Sequence, residues 1–344
     1  LQELDKAEQL YILIQNRYVE SPEYFSAVLD HGTIFIQKGE RSKAIEKMNK
    51  VLDSNSSDQL KAQALYALGE MDRTSGYLSS AVEYYQKICD RYNKSSVYQS
   101  TALALSQVYL VQNRHSDAQK VLNQGINSNP PAILKAQLQE KLGDAYYLAK
   151  QFGLALKAYD QSAVDKQEIA YVVRRLKGAL CWSNQKNLSK GTEYLEELLG
   201  DSSYYSSFGF KEAKQLFFEW LLNLNKYEQG IAALNYLKSA GHFNRQDKIT
   251  LIAFYKSRND WLSIIRDIEP DLYTEEKFAE KDDLLYEYAL ACEKLSRNPE
   301  SARIYREIVE KYARSDFLPQ AQQNLTYLEI YKIVDHSVGI SNLA

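Results

Sequence analysis

The sequence predicts an all-α fold, a solenoid of stacked antiparallel helix pairs. Two observations carry that reading. A four-position pattern recurs every 37 residues through the first half of the chain, and the composition disfavours the other fold classes. Fixed-period self-similarity marks an architecture in which each unit packs only on its neighbours.

The period is read from a small residue at Ala44, Ala81, Ala118 and Ala155. Five residues earlier stands a helix-breaking or polar turn residue: Gly39, Gly76, Asn113 or Lys150. Twelve earlier stands a second small residue, at Gly32, Gly69, Ser106 and Gly143. Four later comes a larger apolar or aromatic one, at Met48, Tyr85, Leu122 and Tyr159. The two small positions fall on different helices, here called A and B, on either side of a tight turn. Small side chains let those helices approach, and the residue one turn later packs on the same face. In the second copy, helix A is expected to run to about Thr74 and helix B to start near Leu78.

Of 344 residues, 45% are hydrophobic and 25% charged, which is ordinary for a folded chain. Six prolines and fourteen glycines are too few for a loop-rich all-β fold. No apolar run is long enough to cross a membrane. The net charge of −3 is spread evenly, and phosphate contacts dominate nucleic-acid affinity, so nucleic acid is not an expected partner. Cys89, Cys181 and Cys292 are odd in number and far apart, unlike a disulfide framework or a zinc site. Leu1 stands inside the repeat pattern, so the start of the chain does not indicate a compartment.

The pattern resembles the tetratricopeptide repeat. Leu142, Gly143, Tyr146, Ala155 and Tyr159 match it, as do Leu105, Ser106, Tyr109, Ala118, Leu122 and Pro130. The tryptophan expected early in helix A is missing, and the period is about three residues longer than the usual 34. The extra residues are assigned to the B-to-A connection, as in DRYNKSSVYQS. The spacing, and the segment YREIVEKYARSDFLPQAQQNL, resemble repeats of bacterial envelope proteins, namely the outer-membrane assembly lipoprotein and the Tol-Pal coordinator. That likeness favours a periplasmic or envelope location over a cytoplasmic one.

Residues 1–20 are expected to form helix B of a preceding repeat, and 21–200 a regular array. Beyond residue 160 the pattern decays. Gly191 with Ala179 continues it, Gly230 faces Phe218 where a small residue is expected, and a pair around Trp261 fits poorly. The pattern returns at Ala289, Ser301 and Tyr305. A junction is placed in the polar connector Gly200–Gly209, so 201–333 read as a degenerate array with a closing helix and 334–344 as a non-periodic tail. The expected total is 18 helices, eight pairs and one helix at each end.

Of the 27 tyrosines, Tyr85, Tyr109, Tyr146, Tyr159 and Tyr305 stand at packing positions of the repeat and read as core and interface residues, the alternative being stacking on sugars or bases. His31, His115, His242 and His336 show no metal-ligand spacing. Adjacent carboxylates such as Glu196–Glu197 and Asp282–Asp283 do not converge on a helix. No phosphate loop or nucleophile motif occurs, so no catalytic, cofactor or metal site is expected.

The resemblance implies an α-superhelix that binds other proteins along a groove lined by helix A. Its groove positions map to Tyr66, Glu70 and Arg73, then Leu103, Gln107 and Leu110, then Glu140, Asp144 and Tyr147. None is Lys or Asn, which argues against the family's carboxylate-tail mode, and the acids favour a basic partner segment. The expected function is a protein-interaction scaffold. The alternatives are a structural spacer in an envelope or motility complex and a glycan-binding helical protein.

Overall fold

The computed structural model describes residues 2–19, 22–162, 170–272 and 281–333. The tail expected over 334–344, with His336 in it, lies outside them. Among the described residues there are eighteen α-helices and no strand. The first nine are α1 (Gln2–Arg17), α2 (Pro22–Gln37), α3 (Arg41–Leu52), α4 (Asp58–Thr74), α5 (Leu78–Arg91), α6 (Tyr98–Val111), α7 (His115–Asn127), α8 (Ala132–Leu148) and α9 (Phe152–Ser162). Then follow α10 (Ala170–Asn184), α11 (Leu188–Leu199), α12 (Phe210–Asn223), α13 (Tyr227–Ser239), α14 (Arg245–Ser257), α15 (Trp261–Leu272), α16 (Lys281–Lys294), α17 (Asn298–Lys311) and α18 (Leu318–Tyr327). A 3-10 turn, Ser202–Tyr204, lies in the polar connector, and a π-helical segment, Leu328–Ile333, continues α18. The even-numbered helices from α2 to α16 are A helices, and each is followed by its B helix.

Two compact units divide the chain: Leu1–Tyr194 with Ser207–Gly209, and Leu195–Ser206 with Phe210–Ala344. In the first unit, α2, α4, α6 and α8 each pack on the B helix that follows, and the four touch in succession.

One turn geometry joins A to B in all eight pairs. A single residue takes a left-handed conformation: Gly39, Gly76, Asn113, Lys150 and Lys186 in the first unit, then Asn225, Asn259 and Ser296 in the second. Two bonds close each turn. At Gly76, its amide donates to Arg73 O at 3.2 Å, and the next amide, Tyr77, donates to Asp72 O at 2.8 Å. At Lys150 the same pair runs to Tyr147 O at 2.9 Å and, from Gln151, to Tyr146 O at 2.8 Å. This C-capping motif satisfies carbonyls that the helix end leaves open and reverses the chain. Glycine adopts the conformation freely, whereas an L-residue there is strained. Replacing the exposed Lys150, at φ 59°, by glycine should therefore stabilise the protein by about 1 kcal/mol. Urea unfolding would show it, and an unchanged or lower midpoint would mean that the Lys150 side chain compensates for the strain.

The small-residue rule holds where the sequence places it. Ala44, Ala81, Ala118 and Ala155 are fully buried, and Met48, Tyr85, Leu122 and Tyr159 lie in the core beside them. In the later pairs Gly191, Gly230, Ile264 and Ser301 hold the same place, each donating its amide to the residue that follows the turn: Asn187, Lys226, Asp260 and Arg297. Ile264 explains why the pair around Trp261 fits poorly, because a large buried side chain stands where the repeat has a small one. In α10 the contact centres on Gly178, whose Cβ would lie 2.9 Å from Tyr194 Cε1, one residue before the expected Ala179. Phe218 does occupy the small A position. Gly230 leaves room for Phe254, since a Cβ there would come within 2.2 Å of its ring, and the two phenyl rings meet edge to face at 6.1 Å.

Candidate partner-binding face

The nine groove positions lie on α4, α6 and α8, at i, i+3/i+4, i+7 spacing, which puts each triplet on one stripe of its helix. The stripes differ in how much they leave available. On α4, Tyr66 is half-buried against the core, with its ring 6.1 Å from that of Tyr85. Glu70 accepts the Tyr85 hydroxyl and two bonds from Arg73, at 2.6 and 3.2 Å. Burial pulls the Glu70 carboxyl upward, but Arg73 and Tyr85 outweigh it and hold it below the usual carboxylate range.

On α6, Leu103 and Leu110 are half-buried against the core while Gln107 is exposed. One turn beyond Gln107, Val111 is 71% exposed. On α8 the stripe is spent internally. Lys177 of α10 bridges Glu140 and Asp144, at 2.9 Å to each. Arg174, buried on α10, adds a bond to Glu140 at 3.2 Å, and Lys141 adds one to Asp144 at 3.1 Å. The Tyr159 hydroxyl donates to Asp144 at 3.0 Å. Burial works against ionisation of Asp144, yet Lys177 and Lys141 keep its carboxyl below the ordinary range. Tyr147 accepts from Asn184 Nδ2 at 3.0 Å and packs edge to face on Phe152.

Each of the three groove carboxylates thus already has a cation, which removes the electrostatic reason to favour a basic partner. The residues that sequence reasoning missed are Arg174, Lys177 and Asn184. For two of them the signal was present: Lys177 stands 37 residues after Glu140 and Asn184 37 after Tyr147, the next rungs of the same ladder.

Other candidate chemistry is dispersed. Among the described residues no group of three or more His, Cys, Asp or Glu side chains could hold a metal ion, and no helix is long and apolar enough to cross a membrane. Burial pushes the thiols of Cys89, Cys181 and Cys292 up to about 12, far from a reactive thiolate. His31 is buried, stacked on Phe35, with Gln15 at 3.0 Å from Nδ1.

A family profile described as "Tetratricopeptide repeat" matches residues 29–96 and 103–168. These segments are tetratricopeptide repeats. The matched residues include all nine groove positions. No curated protein has a matching sequence. Solved structures similar to the chain include MamA, at 18% identity over 53% of this chain and 93% of that one, with a TM-score of 0.44. Another is BtubC from P. vanneervenii, at 10% identity, with coverage of 57% and 87% and a TM-score of 0.48. A third is YrrB, described as a TPR protein with an unusual peptide-binding site, at 13% identity, with coverage of 60% and 97% and a TM-score of 0.46. Tetratricopeptide repeats are a protein-binding architecture, and the matched segments are of that kind.

Proposed function

We propose that the A-helix face of α4, α6 and α8 receives a segment of a partner protein, with Leu103, Gln107 and Leu110 at its centre and Tyr66 and Tyr147 at its flanks. The observation that carries this reading is a pair of equivalent exposed apolar residues. Val111 and Leu148 end the stripes of α6 and α8, are 37 residues apart, and are 71% and 49% exposed. Apolar anchors of this kind carry most of the binding energy once an interface covers them. Glu70, Arg73, Glu140 and Asp144 then serve as the frame beneath the face, since their charges are committed to internal pairs. Binding should accordingly depend little on ionic strength, because salt screens exposed charges far more than paired, half-buried ones.

The test is a comparison of the wild-type chain with the double variant Val111→Asp, Leu148→Asp, both sites being open enough for the fold to tolerate the change. A partner recovered by affinity purification with the wild type should bind the variant about tenfold more weakly or worse. Wild-type affinity in the folded double variant would move the site off this face.

A further inference from the structure

The contact between α1 and α2 holds a buried imidazole whose hydrogen bonds suit one protonation state. Ala27, His31 and Ile34 share one stripe of α2, and all three are buried. On α1, which packs against α2, no described residue is buried. Its hold on α2 therefore leans on polar contacts.

Gln15 reaches across from α1. Its Nε2 donates to Ala27 O at 3.3 Å and lies 3.0 Å from His31 Nδ1. An amide nitrogen only donates, so Nδ1 must accept, and the proton of the neutral ring sits on Nε2. Turning the amide over would set its oxygen against Ala27 O, so that carbonyl fixes the tautomer. A protonated ring carries hydrogen on both nitrogens. Its Nδ1–H would meet the Gln15 amide donor to donor, and a buried donor left unpaired is costly.

The surrounding charges divide. From α1, Glu8 Oε1 lies 3.6 Å from His31 Nε2, beyond hydrogen-bond reach, and the Glu8 carboxylate is already paired with Lys38, which also binds Asp5. From α3, Lys47 opposes a further positive charge, and Lys43 stands over the ring of Phe35, on which His31 stacks. Lys38, just past the end of α2, opposes it too, while Asp30 of α2 binds the Tyr11 hydroxyl. Burial and Lys47 outweigh Glu8, so the imidazole titrates below its ordinary value. The folded state then binds fewer protons than the unfolded one, and this contribution to stability is present above the ordinary histidine value of about 6.5 and lost as pH falls through the folded value. Burial raises the Asp30 carboxyl, whose titration acts in the opposite direction.

We infer that His31 is a pH-sensitive latch: protonation of its ring in mildly acidic solution releases α1 from α2 and uncovers the stripe of Ala27, His31 and Ile34. The latch is independent of the face on α4, α6 and α8, and either can fail without the other.

Hydrogen exchange of the full chain, read by mass spectrometry at about pH 7.5 and 5.5 and corrected for the intrinsic exchange rate, tests it, since the two conditions straddle the ordinary histidine value. Amides of α1 should lose protection several-fold at the lower pH, while those of α5 keep theirs. His31→Gln, which cannot take up the proton, should give α1 the same protection at both, and this separates His31 from Asp30. Gln15→Glu puts an acceptor opposite Nδ1, so acid should no longer loosen α1, and the His31 ring, followed by NMR, should titrate at a higher pH than in the wild type. Equal protection of wild-type α1 under the two conditions overturns the inference, as does an acid-induced loss that persists in His31→Gln. Should His31→Gln fail to fold, an undiminished loss in Gln15→Glu overturns it equally.

Discussion

Replacing Gly143 by leucine should lower the stability of the folded chain by about 3 kcal/mol, at the upper end of what overpacking costs. The first added atom already has no room: a Cβ at Gly143 would lie 2.4 Å from Tyr159 Cε1. Tyr159 is buried and its hydroxyl is bound to Asp144, so the ring cannot swing aside without breaking that bond. Gly69 repeats the arrangement two helix pairs earlier, with a Cβ 2.5 Å from Tyr85 Cε1 and the Tyr85 hydroxyl on Glu70. Gly69→Leu should therefore cost a similar amount. Gly153 is the matched control. It sits in α9 with nothing within 4 Å of its Cβ position, and Gly153→Ala should be neutral or stabilising by up to about 1 kcal/mol through helix propensity. Urea midpoints for the three variants would settle it. Equal midpoints for Gly143→Leu and Gly153→Ala would show that the A and B helices do not meet where the structure places them.

Replacing Lys177 by methionine should cost about 2 kcal/mol. That is below the cost of breaking a fully buried pair, because Lys177 keeps some contact with water and Arg174 and Lys141 remain beside the two acids. Acidification gives a second readout with a definite sign. The folded Asp144 carboxyl titrates below its ordinary value, so the folded state binds fewer protons than the unfolded one in that window. The stabilisation is complete above the ordinary carboxylate value of about 4 and is lost as pH falls through the lower, folded value. In Lys177→Met the Asp144 value moves back up, so acid should remove less stability than it removes from the wild type. Parallel stability–pH curves for the two proteins between about pH 5 and 2 would mean that Lys177 does not hold Asp144 ionised.

Much of this fold was legible because its rules are local and repeat. A turn residue, a small residue five positions on and a large residue four beyond that are each set by contacts within one helix pair. The constant spacing from Ala44 to Ala155 therefore exposed the pairs and their A-to-B boundaries, as at Thr74 and Leu78. The later pairs were harder to read because the same geometry tolerates different residues. Lys186, Asn225 and Ser296 take the left-handed turn that Gly39 and Gly76 take, since the two capping bonds and the packed helices impose it. Phe218 breaks the small-residue rule, and its compensation at Gly230 and Phe254 lies on two other helices.

The candidate face divides in the same way. The sequence by itself determined which residues share a stripe, because helical period and repeat period together fix that. It placed Glu70, Glu140 and Asp144 in line with Tyr66, Leu103 and Leu110. Only the tertiary structure decided what those carboxylates do. Their partners are Arg73 and Tyr85, then Arg174, Lys177 and Tyr159, mostly on other helices, and a charge is neutralised by whatever stands within a few ångströms, not by its neighbours in sequence.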